Sequence, residues 1–209
     1  MRRMWATGAA ILACLALHRI APASAATPLD FNISVNSGAE AGRGGAGQVV
    51  PIPMWRTTGT MTAVRYGTPG FPTRAQARAV NGEANVFYCG GGSSAATARQ
   101  RIALRGRSRL IDAGSLSLEL TVRIGSTTKD GDSGTLIVRY LGADGSLAGA
   151  LQTETVVPGR GVLPRYKATG GVPAGTRSLL VILEGTPAAG TGCDMLFDNV
   201  SVRLVRHSG

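Results

Sequence analysis

Leu116, Leu118, Leu120, Val122 and Ile124 alternate with Ser117, Glu119, Thr121 and Arg123. Successive side chains of a strand point to opposite faces, so this period of two predicts a strand with one dry face and one wet one. Val200, Val202 and Leu204 repeat the pattern against Ser201, Arg203 and Arg206. Leu179 to Leu183 is apolar throughout, as in a strand covered on both faces. Shorter runs of the same kind predict strands over 31–35, 60–66, 85–89, 99–104, 115–124, 135–141, 147–157, 165–169, 178–184 and 195–205. No long helical period appears, and 73–80 fits a turn or two of helix. Turn chemistry punctuates the runs. Ala143-Asp144-Gly145 reads as a tight hairpin turn, and Gly90 to Ser94 as a flexible loop. Residues 41–53 form a long glycine-rich loop, either a mobile rim or an ordered ligand-holding segment. Many short strands with frequent turn formers predict an all-β chain, a two-sheet antiparallel β-sandwich. No internal repeat and no dividing linker is visible, so one domain over 26–209 is expected.

The N-terminus alters which residues count. Arg2 and Arg3 precede an apolar run from Trp5 to Leu17, too short to span a bilayer but suited to a signal-peptide core. Ala23-Ser24-Ala25 supplies the small-x-small pattern, so residues 1–25 are expected to be a signal peptide cleaved after Ala25, and the protein to be secreted. The rival reading is lipidation at Cys14 within Ile11-Leu12-Ala13-Cys14, where Leu12 is bulky for its position. No other run is long and apolar enough for a transmembrane segment. Cleavage removes Arg2, Arg3 and Arg19 and no acid, taking the formal net charge from +10 to about +7. The basic residues are almost all arginine. Genomic composition produces that bias, and so does attraction to acidic polymers. Cys89 and Cys193 then remain, an even count in an oxidising compartment. Paired, they close a loop of about 100 residues, worth roughly 4–5 kcal/mol through the unfolded state; two free buried thiols are the alternative.

Candidate chemistry is mostly excluded. Gly131-Asp132-Ser133-Gly134 looks like a serine-protease nucleophile motif. That mechanism needs a histidine base, and the histidines are His18, within the leader, and His207, near the C-terminus. The motif is better read as a turn. A catalytic zinc needs several ligands, mostly histidine. Phosphate-loop and dinucleotide fingerprints are missing. The run Arg99, Arg101, Arg105, Arg107, Arg109 interleaves no aromatics, so it reads as a solvated edge and no specific nucleic-acid site is expected. The chain is therefore expected not to be an enzyme.

Three groups of residues carry a resemblance. One is Asn36-Ser37-Gly38-Ala39-Glu40-Ala41-Gly42, with Ile52-Pro53-Met54-Trp55 and Tyr66-Gly67-Thr68-Pro69-Gly70-Phe71-Pro72. The second is Asn85-Val86-Phe87-Tyr88-Cys89-Gly90-Gly91. The third is Val172-Pro173-Ala174-Gly175 with Leu196-Phe197-Asp198-Asn199-Val200-Ser201-Val202. Together these resemble the galactose-binding-like jelly roll of carbohydrate-binding modules and of the sugar-binding F-box-associated domain. The resemblance implies a non-catalytic module for a glycan. It also implies a structural calcium held by Glu40 and Asp198, and more weakly by Asn36, because a jelly roll brings its first and last strands together and a hard cation takes oxygen ligands. Sugar sites stack aromatic faces on sugar rings and bond the hydroxyls with polar groups. Trp55, Tyr66, Tyr88 and Arg123 are the candidates, with Trp55 foremost; Phe71, Tyr140 and Tyr166 are further aromatics. Arg123-Ile124-Gly125-Ser126 departs from the resemblance, where an aromatic and paired glycines are expected. A second class of function is a structural or adhesive envelope protein that binds acidic cell-surface polymers through its positive charge.

Overall fold

The computed structural model describes residues 25–207 except Ser93 and Gly190. The expected leader core, Cys14 and nearly all of the leader lie outside the described residues. Among the described residues, ten strands form two five-stranded antiparallel sheets, with two short helices in the connections. The strands are β1 (Arg56–Thr58), β2 (Thr62–Arg65), β3 (Asn85–Tyr88), β4 (Ala96–Ala103), β5 (Leu116–Ser126), β6 (Ser133–Leu141), β7 (Leu147–Gln152), β8 (Arg165–Gly171), β9 (Ser178–Thr186) and β10 (Met195–Arg206). The helices are α1 (Arg74–Ala79) and α2 (Ser108–Asp112). One sheet runs β2-β3-β10-β5-β8 and the other β1-β4-β9-β6-β7.

Period-two patterning builds the core directly. Leu116, Leu118, Leu120, Val122 and Ile124 of β5 are all fully buried and share one core with Leu179, Val181 and Leu183 of β9 in the opposite sheet. The expected double cover of β9 holds at Ile182, which is 3% exposed, while Leu180 is half-buried. The 31–35 strand is reduced to a single bridge, Asn32 to Arg203. Asn32 spends its side chain on Val200 O and Val202 N–H of β10, and Asp30 and Asn36 turn to positive φ on either side. The opening segment nevertheless lies along β10, through Asp30 N–H to Leu204 O and Ile33 N–H to Val202 O. The strand β1 was not expected, because Arg56-Thr57-Thr58 is exposed along its whole length and carries no burial pattern. Residues 153–157, expected to continue β7, are irregular but stay tied to β6 through Thr153 N–H to Leu136 O and a Val156–Gly134 bridge.

Cys89 and Cys193 form a disulfide, with Cα atoms 5.6 Å apart, joining the end of β3 to the start of β10. Gly90 follows at φ 91°, where any side chain would collide with Thr60 O. A second, smaller core lies outside the β2-β3-β10-β5-β8 sheet. Val64, Tyr66, Val86, Tyr88 and Leu196 are covered there by Ala77 of α1 and by Leu163. Thr73 caps α1 with a capping box, its hydroxyl taking the Gln76 N–H while Gln76 returns a bond to the Thr73 N–H.

Candidate functional site

The loop that follows the opening segment delivers an acid to β10. Asn36 and Ala39 both hold positive φ, at 52° and 62°, a conformation that costs about 1 kcal/mol or more for a residue with a Cβ. Asn36 braces the turn by accepting the Ala41 N–H and donating to Pro53 O. Glu40 then accepts the Ala84 and Asn85 N–H groups at 3.0 Å each. Asp198 of β10 sits where the strand bulges between Asp198 and Ser201, with Asn199 at positive φ. Its Oδ2 accepts the Tyr66 hydroxyl at 2.7 Å and its Oδ1 the Asn199 N–H. The two carboxylates converge on Gly38, where a Cβ would lie 3.1 Å from Asp198 Oδ1 and 3.3 Å from Glu40 Oε1.

Burial governs this corner. Asp198 is 1% exposed, and its pKa is pushed up to about 7 by burial, with the Tyr66 and Asn199 hydrogen bonds pulling back. Glu40 is also raised, first by burial, against the two N–H bonds it accepts. The Tyr66 phenol rises too, through burial and then the neighbouring Asp198 charge. Arg123 stands opposite Asp198 in the β5–β10 ladder, but its guanidinium donates to Leu163 O. Two converging carboxylates with oxygen-only donors, and no ion-paired arginine among the described residues, suit a hard cation. Asn36 is less suited, since both ends of its amide already hold the loop.

The residues expected to stack on a ligand are placed differently. Trp55 is 7% exposed, donates its indole N–H to Val35 O and Asn36 O, and packs edge-on against Phe87 at 5.2 Å in the main core. Tyr66 and Tyr88 do share one sheet face with Arg123, but α1 and the Leu163 segment cover them; Tyr88 spends its hydroxyl on Asp194. None of the three rings offers a face to a sugar, because so few aromatics must also fill two cores. Tyr140 is buried as well, while Phe71 and Tyr166 are half-buried.

Two features escaped sequence reading. Beside the acidic corner lies a cleft of about 470 Å³ lined by Glu40, Arg43, Arg65, Arg74, Arg78 and Glu83, with Asn85 in its wall. The four arginines have no hydrogen-bond or ion-pair acceptor among the described residues. Asn85 is buried and donates to Ala39 O and Gly42 O, yet its Oδ1 has no partner; a Cβ at Gly44 would strike that oxygen. These side chains come from four separate segments, so no local motif announces them. Second, Asp130, Asp132 and Asp194 bring carboxylate oxygens within 4.8 Å of one another and could hold a metal ion. Asp132, buried, already accepts the Ala188 N–H, the Asp194 N–H and the Thr191 hydroxyl. The protease-like motif therefore contains a structural aspartate, and its Asp-x-Asp spacing was the one local hint of the cluster.

No protein-family model matches the chain, and no curated protein matches it. Solved structures do. The enzymatically active domain of tailspike protein 4 from bacteriophage CBA120 superposes with a TM-score of 0.52 at 18% identity, over 83% of this chain and 21% of that one. The CBM22-1-GH10 modules of Clostridium thermocellum xylanase 10B, complexed with xylohexaose, give 0.49 at 13% identity, over 86% of this chain and 29% of that one. The CBM22-1 xylan-binding domain of Paenibacillus barcinonensis Xyn10C gives 0.48 at 11% identity, over 78% of this chain and 92% of that one. At such identities the likeness is one of fold, and the two-sheet antiparallel β-sandwich expected from the sequence is the fold the chain adopts. The chain spans about a fifth of the tailspike and less than a third of the xylanase.

Proposed function

We propose that this chain is a secreted, non-catalytic binding module for carbohydrate, its ligand seated in the Arg65–Arg78 cleft and a structural calcium held by Glu40 and Asp198. The observation that carries the reading is unused hydrogen-bonding capacity at one rigid corner. Among the described residues, four guanidinium groups lack acceptors there, two carboxylates stand beside them, and a buried amide oxygen has no donor. Guanidinium forks donate in parallel to neighbouring oxygens, and carboxylates accept from hydroxyls, which matches the donor and acceptor pattern of a sugar. The arginines approach from β2, α1 and the loop after the opening segment, so the cleft is shaped before a ligand arrives. Calcium bound at Glu40 and Asp198 would supply the missing positive charge and lock the loop that forms one cleft wall. The Cys89–Cys193 disulfide supports an oxidising compartment, in keeping with the leader reading. No helix among the described residues is long and apolar enough to cross a membrane.

A glycan array on residues 26–209 with calcium present tests the proposal. Retention of at least one glycan class, reduced tenfold or more in Arg65→Ala/Arg78→Ala, is the expected outcome. Failure to retain any glycan, or release of reducing sugar from a bound one, would overturn it.

A further inference from the structure

The other sheet carries a charge pattern that folding does not explain. Antiparallel pairing sets Arg56 of β1 directly opposite Arg99 of β4, on the outer face of the sandwich. Directly opposed like charges destabilise a ladder. Arg101 follows two residues along β4 on the same face, and Arg139 of β6 stands across Leu180 of β9. All four arginines are exposed. Arg101 donates to the Ser178 hydroxyl, whereas Arg56, Arg99 and Arg139 have no acceptor among the described residues. Glu184 lies diagonally from Arg99 and makes no ion pair; the described ion pairs are Arg177–Asp112 and Arg203–Glu119.

Between these cations lie the half-buried Leu180 and Ile137, with Ile182 buried beside them. The ladder rows read Arg56, Arg99, Ile182, Ile137 and, one row on, Arg101, Leu180, Arg139. A shallow groove of about 740 Å³ lies over β1, β4 and β9, and no carboxylate lines it among the described residues. Met54 forms its lip, 53% exposed and held at φ 66°, with its carbonyl pinned by buried Gln100. A strained, exposed apolar residue at a groove edge is a feature that stability alone selects against.

We infer that this face binds a linear polysaccharide carrying a repeating carboxylate or sulfate, laid across the strands, independently of the Arg65–Arg78 cleft. The arginines recur at one or two strand spacings, each about 4.8 Å, so successive anionic groups meet successive guanidinium forks. Leu180 and Ile137 receive the ring C–H faces between them. The groove offers no aromatic side chain, so a nucleic acid would find charge without a stacking surface.

The test uses affinity electrophoresis and calorimetry with polygalacturonate, dextran sulfate, neutral xylan and single-stranded DNA, in a salt series. Two charge-matched variants are compared: Arg56→Gln/Arg99→Gln and the cleft pair Arg65→Gln/Arg78→Gln. The expected result is polyanion binding weakened tenfold or more, with a shallower salt dependence, only in the first. That variant should keep or raise its melting temperature, because a like-charge pair is relieved. The stronger of polygalacturonate and dextran sulfate identifies the anionic group. Equal losses in the two variants would reduce the effect to net charge and overturn the inference, as would wild-type preference for DNA or no binding to either polysaccharide. Neutral-glycan binding lost only in the cleft variant addresses the cleft proposal separately.

Discussion

Trp55 shows how one residue's environment reverses its expected role. It ends a proline-rich loop, a position open to a ligand, yet it fills the main core against Phe87. Trp55→Ala should therefore cost about 3–5 kcal/mol of stability, read by urea denaturation, and a neutral effect would contradict the placement. Asp198 makes a different prediction. Its folded pKa of about 7 stands above the ordinary value of about 4 in the unfolded chain. A carboxyl harder to ionise folded than unfolded favours the fold while protonated. That contribution is complete below about pH 4 and is lost as pH rises through about 7. In EDTA, Asp198→Asn should flatten the fall in melting temperature between pH 5 and pH 8, with the variant gaining on the wild type at the alkaline end. An unchanged pH profile would show that Asp198 is solvated.

At the scale of elements, strands with a clear apolar pattern, alternating or continuous, announced themselves, and the fully exposed β1 did not. The long strands β5 and β10 appear at nearly the positions their alternation predicts, because burying one face requires period two. Strand β1 and helix α2 carry no such pattern, being held by their neighbours instead. The β3–β10 junction is tied by the disulfide across a separation of 104 residues. Replacing both cysteines by alanine should lower stability by roughly 4–5 kcal/mol if constraint of the unfolded chain dominates. Differential scanning calorimetry of the two proteins measures this, and equal melting temperatures would refute it.

Taken whole, the molecule is a sandwich whose corner gathers acids and whose surface spreads arginine. Calcium should therefore act globally. At a concentration one hundred times its dissociation constant, an ion that binds only the folded chain adds about 2.7 kcal/mol. A thermal melt in EDTA followed by added calcium should show a rise in the wild type that is absent in Glu40→Gln. Because the ion competes with protons for Asp198, the rise should be larger at pH 8 than at pH 5. A rise that persists in Glu40→Gln but vanishes in Asp130→Asn would move the ion to the aspartate cluster.

Residue order was enough to read the β-sandwich, most of its strands, the pairing of two cysteines as one of two options, and an acidic corner made from the chain's two ends. Those follow from local alternation, turn chemistry and recognisable short motifs, each a property of neighbouring residues. It could not separate core aromatics from surface ones, since Trp55, Tyr66 and Tyr88 carry the same chemistry in either place. Nor could it reveal the arginine cleft, the aspartate cluster or the Arg56–Arg99 row. Their members lie on separate segments, and only strand register and the packing of α1 over a sheet face bring them within reach of one ligand.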